Sequence, residues 1–309
     1  MTLHPSVTHP CVTQELKAAG LEPGDTERAV RAALDEDLHY GPDHTTAATA
    51  PAGARAVAGV VARDCGVLAG LPVALAVLDA VGVDPGAAQL RGRDGAPVSP
   101  GTEVLRIEAP LRELLGAERT LLNFLTHLSG IATVTRAWVD ELAGTGCVVR
   151  DTRKTTPGLR QLEKHAVRCG GGANHRMGMG DAALIKDNHV AAAGGVGAAI
   201  RAVRAAAPDV PLEVECDDLE QVREALATGA RLILLDNMSL ADLRTAVALA
   251  GAYPGTKLEA SGGLRLASVR AVAQTGVDFI AVGALTHSSP ALDLGLDLLA
   301  AEQAAGHSH

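Results

Sequence analysis

The segment from Arg150 to His189 reads RDTRKTTPGLRQLEKHAVRCGGGANHRMGMGDAALIKDNH, and it alternates short apolar, strand-like runs with turns. It contains eight lysines and arginines and three histidines, beside the turn sequences TTPG (155–158) and GGG (170–172). Glycines let a backbone approach another group closely, and arginines hold planar carboxylates or phosphates through paired hydrogen bonds. The segment therefore predicts a pocket for a small molecule with several negative charges.

The cations of this segment fall into two groups. One group has helical spacing and shares its stretch with other polar residues, which predicts a solvated surface helix; its members are Arg160, Lys164 and Arg168. The other group lies beside turns or at the ends of apolar runs, and we assign it to the site; its members are Arg153, Lys154, Arg176 and Lys186.

The bulk composition indicates an ordinary globular protein. The chain has 309 residues, is 47% hydrophobic and carries a net charge of −9, so the cationic segment is a local island in an acidic chain. Nucleic-acid binding favours basic faces and stacking rings, and only 2% of the residues are aromatic. We therefore expect no nucleic-acid partner.

The cysteines and the hydropathy pattern predict a cytoplasmic protein. Five cysteines are odd in number and form no C-x-x-C pair, which favours reduced thiols over a disulfide framework or a zinc site. Cys169 is expected to be a small apolar filler. The first residues lack the basic and apolar regions of a signal peptide. No uninterrupted apolar window of about 18 residues exists, so we expect no membrane span.

The chain divides into two predicted domains. Residues 1–23 are aperiodic and read as a flexible leader, and residues 300–309 read as a tail. Residues 24–122 mix helical and strand-like patterns, which predicts an α+β sandwich domain; residues 289–299 are expected to pack back on it. A long apolar helical pattern covers residues 111–142. Residues 123–288 are assigned to the second domain.

After residue 146 the pattern repeats as strand, loop and helix. Alternating helices and apolar strands predict a parallel sheet, and six such units favour an open, incomplete, TIM-like α/β barrel. No G-x-G-x-x-G follows a strand, so a dinucleotide-binding fold has no support. The predicted strands are Cys147–Thr152, Ala182–Lys186, Leu212–Cys216, Leu232–Asp236, Lys257–Ala260 and Phe279–Val282.

Polar residues follow these strands in a regular order. In a parallel α/β barrel the site lies at the carboxyl ends of the strands. Cations end the first two strands, acids end the next two, and glycine-rich turns end the last two. The residues concerned are Arg153, Lys154 and Lys186, then Glu215 and Asp236, then Ser261, Gly262, Gly263, Gly283, Ala284 and His287.

Each class of strand end has a chemical use. The late glycine turns resemble a phosphate cradle. Glu215 and Asp236 could hold Mg²⁺, directly or through water, or bond sugar hydroxyls, with Glu213 as a supporting neighbour. These parts describe one substrate with a phosphate, a sugar and a magnesium-bound leaving group. The cations of the first two strands would receive a second, carboxylated substrate.

From Asp37 to Leu299 the chain contains motifs that resemble those of one family: TRKTTPGLR, EKHAV, GGGANHR, LIKDNH, EVE, LLDN, EASGG and VGALTHS. The resemblance is to the quinolinate phosphoribosyltransferases of NAD biosynthesis. It implies that quinolinate and 5-phosphoribosyl-1-pyrophosphate, with Mg²⁺, give nicotinate mononucleotide, CO₂ and pyrophosphate. It also implies a homodimer in which one subunit's N-terminal region closes the partner's barrel.

The resemblance also implies roles for individual residues. The quinolinate-binding residues would be Thr152, Arg153, His175, Arg176 and Lys186, with Arg119 supplied by the neighbouring subunit. The ribose, pyrophosphate and magnesium group would be Lys154, Glu215 and Asp236. The phosphate-binding ends would be Ser261, Gly262, Gly263, Val282, Gly283, Ala284 and His287.

Three alternatives remain open at this point. A related transferase with a different pyridine acceptor would keep most of the scaffold. A Schiff-base lyase would use Lys186, which ends a strand, but it would leave the arginines without a purpose. A non-catalytic binding protein could keep the cations but would not need Glu215 and Asp236 together.

Overall fold

The structure is a computed structural model, and it describes residues 8–302. The chain forms two compact units whose limits differ from the predicted domains. One unit comprises the residues up to Val134, then Thr156–Gly171 and the residues from Ser288 onward. The other comprises Thr135–Thr155 and Gly172–His287. The predicted limit at residues 122 and 123 falls inside a helix that continues unbroken to Glu141.

The first unit contains a four-stranded antiparallel sheet in the order β12, β1, β5, β3, and a separate pair of strands, β2 and β4. The alternate residues Ala56, Ala58, Val60 and Ala62 of β1 are buried, the period expected for a sheet with one covered face. The last strand of the chain runs antiparallel to β1. The strands are β1 (Arg55–Ala62), β2 (Gly66–Val67), β3 (Ala88–Leu90), β4 (Pro97–Val98), β5 (Glu103–Pro110) and β12 (Leu294–Glu302).

The helices of this unit include one that we did not predict. Residues 10–18 form a helix and not a loose leader, because Pro10 occupies its first turn and Val12 and Leu16 are buried. Expectations for residues 1–7 and 303–309 lie outside the described residues. The helices are α1 (Pro10–Ala18), α2 (Pro23–Leu38), α3 (His44–Thr49), α4 (Leu71–Ala80), the 3₁₀ turn Pro85–Ala87, α5 (Leu111–Glu141, to Val134 in this unit) and α6 (Arg160–Cys169).

Helix α6 corrects the prediction of a solvated surface helix. Residues 162–167 are all buried, and the side chain of Lys164 has no exposed surface. The buried Glu163 lies 2.9 Å from His127 Nε2 and also accepts the backbone N–H of Thr156. Helical spacing of charges indicates a helix correctly, but it does not indicate which elements cover that helix.

The second unit is a six-stranded parallel sheet with intervening helices, the arrangement of an open α/β barrel. Its strand order is β6, β11, β10, β9, β8, β7, and the six predicted strands are all present. The strands are β6 (Val148–Arg150), β7 (Ala183–Ile185), β8 (Leu212–Cys216), β9 (Leu232–Asp236), β10 (Lys257–Ser261) and β11 (Phe279–Ala281). The helices are α7 (Asp187–Ala193), α8 (Val196–Ala206), α9 (Leu219–Ala227), α10 (Leu240–Ala250), α11 (Leu266–Ala273) and α12 (Ala284–His287).

Among residues 8–302, no helix is both long and apolar enough to cross a membrane.

Gly130 allows α5 to approach the segment that returns to the first sheet. A Cβ atom at this position would overlap the carbonyl oxygen of Pro290 and lie 3.0 Å from Ala291 Cα. Both neighbours are backbone atoms, so they cannot move aside as a flexible side chain would. We therefore expect Gly130→Ala to lower the free energy of unfolding by about 1–3 kcal/mol, as overpacking does. Urea denaturation measures this.

The matched control is Gly24→Ala, also in a helix of the first unit. A Cβ there would meet only Arg28 Nη1 at 3.7 Å, so the variant should stay within about 1 kcal/mol of the parent. Equal stability of the two variants would contradict the close approach at Gly130.

Candidate active site

The carboxyl ends of the barrel strands surround a cavity of about 620 Å³. A smaller cavity of about 190 Å³ shares six of its lining residues. Predicted site residues that line the larger cavity are Thr152, Arg153, Lys154, His175, Arg176, Lys186, Glu215, Asp236, Ser261, Gly262 and Gly263. Those that line only the smaller one are Val282, Gly283, Ala284 and His287.

Arg119 belongs to the first unit. It lies on α5 and lines a different cavity of about 590 Å³, together with Asp37, Arg112 and other residues of that unit. The assignment of Arg119 to a partner's site stays a prediction.

Two arginines of the larger cavity have unused donors. The Nε atoms of Arg153 and Arg176 are buried and have no hydrogen-bond partner among the described residues. Burial, and then the neighbouring charge of Arg153, lower the pKa of Arg176 from its ordinary value. The two half-buried guanidinium groups therefore present donors that a planar carboxylate could accept.

A buried carboxylate holds the turn that precedes Arg176. Asp151 is fully buried, accepts the side-chain amide of Asn174 at 2.5 Å and accepts the backbone N–H of His175 at 2.8 Å. Ala173 forms an isolated parallel bridge with Arg150 at the edge of the sheet. The turn is therefore fixed to β6, which brings Arg176 beside Arg153. Sequence reasoning passed over Asp151, although an acid inside the cationic RDTRK motif was a signal for it.

Both ring nitrogens of His175 are engaged within the protein. Nδ1 accepts the backbone N–H of Arg176 at 2.7 Å, so this nitrogen carries a lone pair and the ring is neutral. Nε2–H points to Glu213 Oε2 at 2.8 Å, with Glu259 Oε1 at 3.5 Å. The predicted role was that of a cation that contacts the acid. This geometry favours a neutral ring that orients Arg176.

Beneath His175 lies a buried ionic network that the sequence did not reveal. Arg150 Nη1 lies 2.6 Å from Glu259 Oε2, and both side chains are largely buried. Two carboxylates, Glu213 and Glu259, thus face one arginine and a neutral imidazole. Burial, and then the charge of Glu213, raise the pKa of Glu259 to about 8. We therefore infer that this carboxyl group retains a proton at neutral pH in spite of its contact with Arg150.

Lys186 stands at the end of β7 and forms an ion pair across the sheet. Its Nζ lies 2.5 Å from Glu215 Oε2. Its backbone caps α7, where its N–H donates to His189 Nδ1. The backbone cap and the ion pair together fix the ammonium group at the cavity wall.

The ends of β9 and β10 meet in a turn with unusual backbone angles. Asn237 has a φ of +52°, and it is the only non-glycine residue with a positive φ in residues 8–302. Its N–H donates to Ser261 O, and its side chain donates to Asp236 Oδ2 at 2.6 Å. Gly262 has a φ of +91°, and a Cβ there would overlap Asn237. Such local strain often accompanies functional sites.

The smaller cavity is built around Gly283. A Cβ at this position would lie 2.8 Å from Lys154 Cδ and 3.4 Å from His287 Nε2. The buried Thr286 hydroxyl donates to Lys154 O at 2.9 Å and so fixes the Lys154 backbone. A lysine, a histidine and a bare backbone around a small polar cavity suit a phosphate group.

Comparisons with known proteins agree with this geometry. The model of the quinolinate phosphoribosyl transferase N-terminal domain matches residues 43–129, and that of the C-terminal domain matches residues 131–297. The chain belongs to the quinolinate phosphoribosyltransferase family.

Individual relatives of this family are similar over most of the chain. The nicotinate-nucleotide pyrophosphorylase [carboxylating] of Mycobacterium leprae is 56% identical over 271 residues, which cover 87% of this chain and 95% of that protein. A chloroplastic protein of the same name from Arabidopsis thaliana is 39% identical over 294 residues, with 89% and 83% covered.

Solved structures give the same result. The nicotinate-nucleotide pyrophosphorylase from Francisella tularensis superposes with a TM-score of 0.85 at 36% identity and covers 90% of this chain and 97% of its own. The protein named NadC from Streptococcus pyogenes has a TM-score of 0.83 at 41% identity, with 91% and 99% covered. The α+β unit followed by an open parallel α/β barrel is therefore the fold of the quinolinate phosphoribosyltransferase family.

The protonated state of Glu259 predicts a pH dependence of stability. Its pKa is raised from an ordinary value of 4.5 to about 8, so the folded chain binds more protons than the unfolded chain between these values. The contribution of Glu259 is fully present below pH 4.5 and is lost as the pH rises through 8. Relative to Glu259→Gln, the parent's free energy of unfolding should therefore fall from pH 5 to pH 8.

Urea titrations of the parent and variant at several pH values give this difference directly. Glu108→Gln, at an exposed position, is the matched control and should give a flat difference. A difference that rises with pH for Glu259→Gln would mean that Glu259 is ionised in the folded chain.

Proposed function

We propose that this chain transfers a phosphoribosyl group from 5-phosphoribosyl-1-pyrophosphate to quinolinate, which yields nicotinate mononucleotide, CO₂ and pyrophosphate. The observation that carries the proposal is the pair of arginines, Arg153 and Arg176, whose buried Nε donors are unpaired among the described residues, in the same cavity as Glu215 and Asp236. Family relatives carry the printed names nicotinate-nucleotide pyrophosphorylase [carboxylating] and quinolinate phosphoribosyltransferase [decarboxylating]. Release of pyrophosphate and CO₂ from quinolinate, with nicotinate as the control substrate, tests the proposal.

The pyridine diacid occupies the cationic side of the larger cavity. Arg153 and Arg176 bind chiefly the 3-carboxylate, because a firm grip on the 2-carboxylate would oppose its departure. Thr152 and Lys186 complete this side, while His175 holds the backbone of Arg176. The unused Nε donors gain partners only when the acid binds, which favours binding of an anion at this place.

The phosphoribosyl donor occupies the acidic side and the smaller cavity. Its 5-phosphate meets the ends of β10 and β11, that is Ser261–Gly263 and Val282–Ala284, with His287 and Lys154 beside it. Its ribose hydroxyls and pyrophosphate lie towards Glu215 and Asp236. The two cavities share Thr152 and Lys154 and could therefore hold the two reactants side by side.

We assign the carboxylates on this side of the cavity, Asp236 and Glu215, to the binding of Mg²⁺. Asp236 is partly exposed, and its Oδ2 accepts the neutral Asn237 amide at 2.6 Å, with no cationic partner among residues 8–302. Glu215 is paired with Lys186, so its oxygen already has a cationic partner. Mg²⁺ commonly uses one or two carboxylates with substrate oxygens and water. Asp236 would hold the ion directly and Glu215 through water, and the bound ion would neutralise charge on pyrophosphate.

The reaction needs positioning and electrostatic stabilisation more than a covalent nucleophile. The pyridine nitrogen attacks the anomeric carbon as pyrophosphate leaves, and a positive charge develops on the ribose. Glu215 and Asp236 stabilise this charge, and Lys154 neutralises negative charge on the leaving pyrophosphate. The bond between C2 and its carboxylate then breaks, CO₂ departs, and the electron pair stays on C2, where the adjacent quaternary nitrogen stabilises it until a proton takes the place of the carboxylate. Lys154, Lys186 and water are the candidate donors of the final proton.

The rival activities fit the contacts less well. A Schiff-base lyase requires a neutral amine, whereas Lys186 is held in an ion pair with Glu215. A binding protein without turnover would not require the strained turn that presents Asp236. A transferase with another pyridine acceptor is the second candidate, and it is distinguished by the choice of acid. A cytoplasmic location, inferred from the reduced thiols, is part of the proposal.

Asp236→Ala tests the carboxylate assigned to the metal. We expect kcat to fall by on the order of 10²-fold or more, because an electrostatic group aimed at the developing charge is lost. Quinolinate binding, measured by calorimetry, should persist, since the arginines remain. Asp209→Asn, exposed and ahead of β8, is the matched control. Normal turnover of Asp236→Ala across a magnesium titration would remove Asp236 from this role.

A shared site between two subunits is a further part of the proposal. Arg119 lies in the first unit and, by family resemblance, acts in the partner's barrel. Arg119→Ala and Lys186→Ala should each be inactive, but a mixed dimer retains one intact site. Random exchange should therefore restore about a quarter of the parent activity. If exchange is confirmed by mass spectrometry and no activity returns, Arg119 does not act in the partner's site.

Selectivity for the diacid follows from the number of cations. Nicotinate lacks the 2-carboxylate, so a cation of the site that faces this group would stay without a partner. Leaving such a group unpaired reduces kcat/KM by on the order of 10³-fold or more. Arg176→Ala should lose turnover with both acids, because both carry the 3-carboxylate. Steady-state kinetics with both acids measure this, and similar kcat/KM values in the parent would leave only a transferase with another acceptor.

A further inference from the structure

We propose that Asp94, His165 and Cys169, in the first unit and outside the transferase site, bind a zinc ion that keeps one coordination position open. Their ligand atoms, one from each residue, all lie within 4.8 Å of one another. His165 and Cys169 are four residues apart on α6, the spacing that places two side chains on one face of a helix. Asp94 comes from the loop between β3 and β4.

The distances are close to those of a tetrahedral zinc site. His165 Nε2 lies 2.8 Å from Asp94 Oδ2 and 3.4 Å from Cys169 Sγ. Zinc bonds of about 2.0–2.3 Å separate tetrahedral ligand atoms by roughly 3.3–3.6 Å. Accommodation of the ion therefore requires the Asp94 carboxylate to move by about half an ångström. Imidazole, thiolate and carboxylate together form a set of ligands that favours zinc over magnesium.

Both ring nitrogens of His165 have polar neighbours. Nδ1 lies 3.2 Å from the carbonyl oxygen of Ala19 and 3.4 Å from Arg168 Nη2, and Nε2 lies 2.8 Å from Asp94 Oδ2. A ring nitrogen and a carboxylate oxygen at this separation require a proton or a metal cation between them. Metal-bound histidines commonly donate their other ring N–H to a backbone carbonyl, and the carbonyl of Ala19 is within reach of Nδ1.

Two backbone N–H groups also hold the carboxylate of Asp94 in place. Asp94 Oδ2 accepts the N–H of Gly70 at 2.9 Å, and Oδ1 accepts that of Leu71 at 3.1 Å. These donors lie at the start of α4, so Asp94 is fixed before any ion binds. Supporting contacts of this kind orient metal ligands and raise their affinity.

A cleft would let the ion reach the site from solvent and would leave room for a fourth ligand. Asp94, His165 and Cys169 line a cavity of about 390 Å³ that opens to solvent. The fourth position would hold water or a small anion, and the guanidinium groups of Arg93 and Arg168 line the same cleft.

The sequence argued against a zinc site because it contains no C-x-x-C pair. That rule detects ligands that are close along the chain. Here Asp94 and His165 are 71 residues apart and meet only in the fold. Cys169 was expected to be an apolar filler, and its contact with His165 Nε2 gives it a further role.

Cobalt serves as the optical probe for this site. The reduced full-length chain should bind Co²⁺ with a thiolate-to-cobalt charge-transfer band, at one equivalent per chain, and Zn²⁺ should displace the band. The other cluster of possible ligands among the described residues, His175, Glu213 and Glu259, contains no thiolate and would give no such band. Cys169→Ser and His165→Gln should weaken zinc binding by more than about 100-fold, since even supporting contacts contribute 10–100-fold.

Cys11→Ser is the matched control. Cys11 Sγ lies 2.9 Å from His9 Nδ1, so this variant removes another thiol that contacts a histidine, at an exposed position. It should keep the full band. A band absent from the parent, or one that survives Cys169→Ser and disappears in Cys11→Ser, would overturn the proposal and leave His165 and Asp94 as an ion pair.

A measurement on the unmodified chain tests the proposal without any variant that could fail to fold. Zinc should protect Cys169 from alkylation by iodoacetamide, as mapped by mass spectrometry, while the exposed Cys65 reacts at an unchanged rate. Equal alkylation of Cys169 with and without zinc would overturn the proposal independently of any substitution.

Discussion

The buried hydrogen bond from Arg150 to the carboxyl group of Glu259 is the contact on which the candidate active site depends. Arg150 lies on β6 and Glu259 on β10, and β11 lies between these strands. The guanidinium of Arg150 passes over the ring of Phe279 on β11, 4.9 Å from its centroid, to reach the carboxylate. Buried charges cost several kcal/mol unless they are paired in good geometry. The pair therefore restricts the three strands to one arrangement at their carboxyl ends.

His175 connects the contact between Arg150 and Glu259 to the rest of the site. Its ring lies against Glu213 and Glu259 on one side and accepts the backbone N–H of Arg176 on the other. The network is only partly satisfied, because Glu213 Oε1 and Glu259 Oε1 are buried without a hydrogen-bond partner among the described residues, and Glu259 retains a proton. Arg153 and Arg176 keep buried donors that no residue of the described chain satisfies. A polar site that is ordered before its ligand arrives needs little reorganisation during the reaction.

The first unit also contains a histidine, His165, whose contacts on both ring nitrogens connect several neighbouring groups. His165 joins Asp94, Cys169 and Ala19 in one hydrogen-bonded cluster, and Asp94 joins this cluster to the start of α4. In both units a histidine ring contacts a carboxyl group with one nitrogen and a backbone group with the other, the N–H of Arg176 for His175 and the carbonyl of Ala19 for His165. The environment of each ring, and not the residue type, therefore determines its role.

The sequence by itself determined the barrel strands and the residues that follow them, from Arg153 to Gly283. Period-two and period-3.6 patterns are local, and parallel strands must bring their carboxyl ends together, so a linear list of strand ends became a list of cavity residues. Only the tertiary structure decided the burial of Lys164, the neutral state of His175 and the meeting of Asp94 with Cys169. The physical reason is that charge and burial depend on neighbours distant in sequence. Spacing along one element does not reveal them.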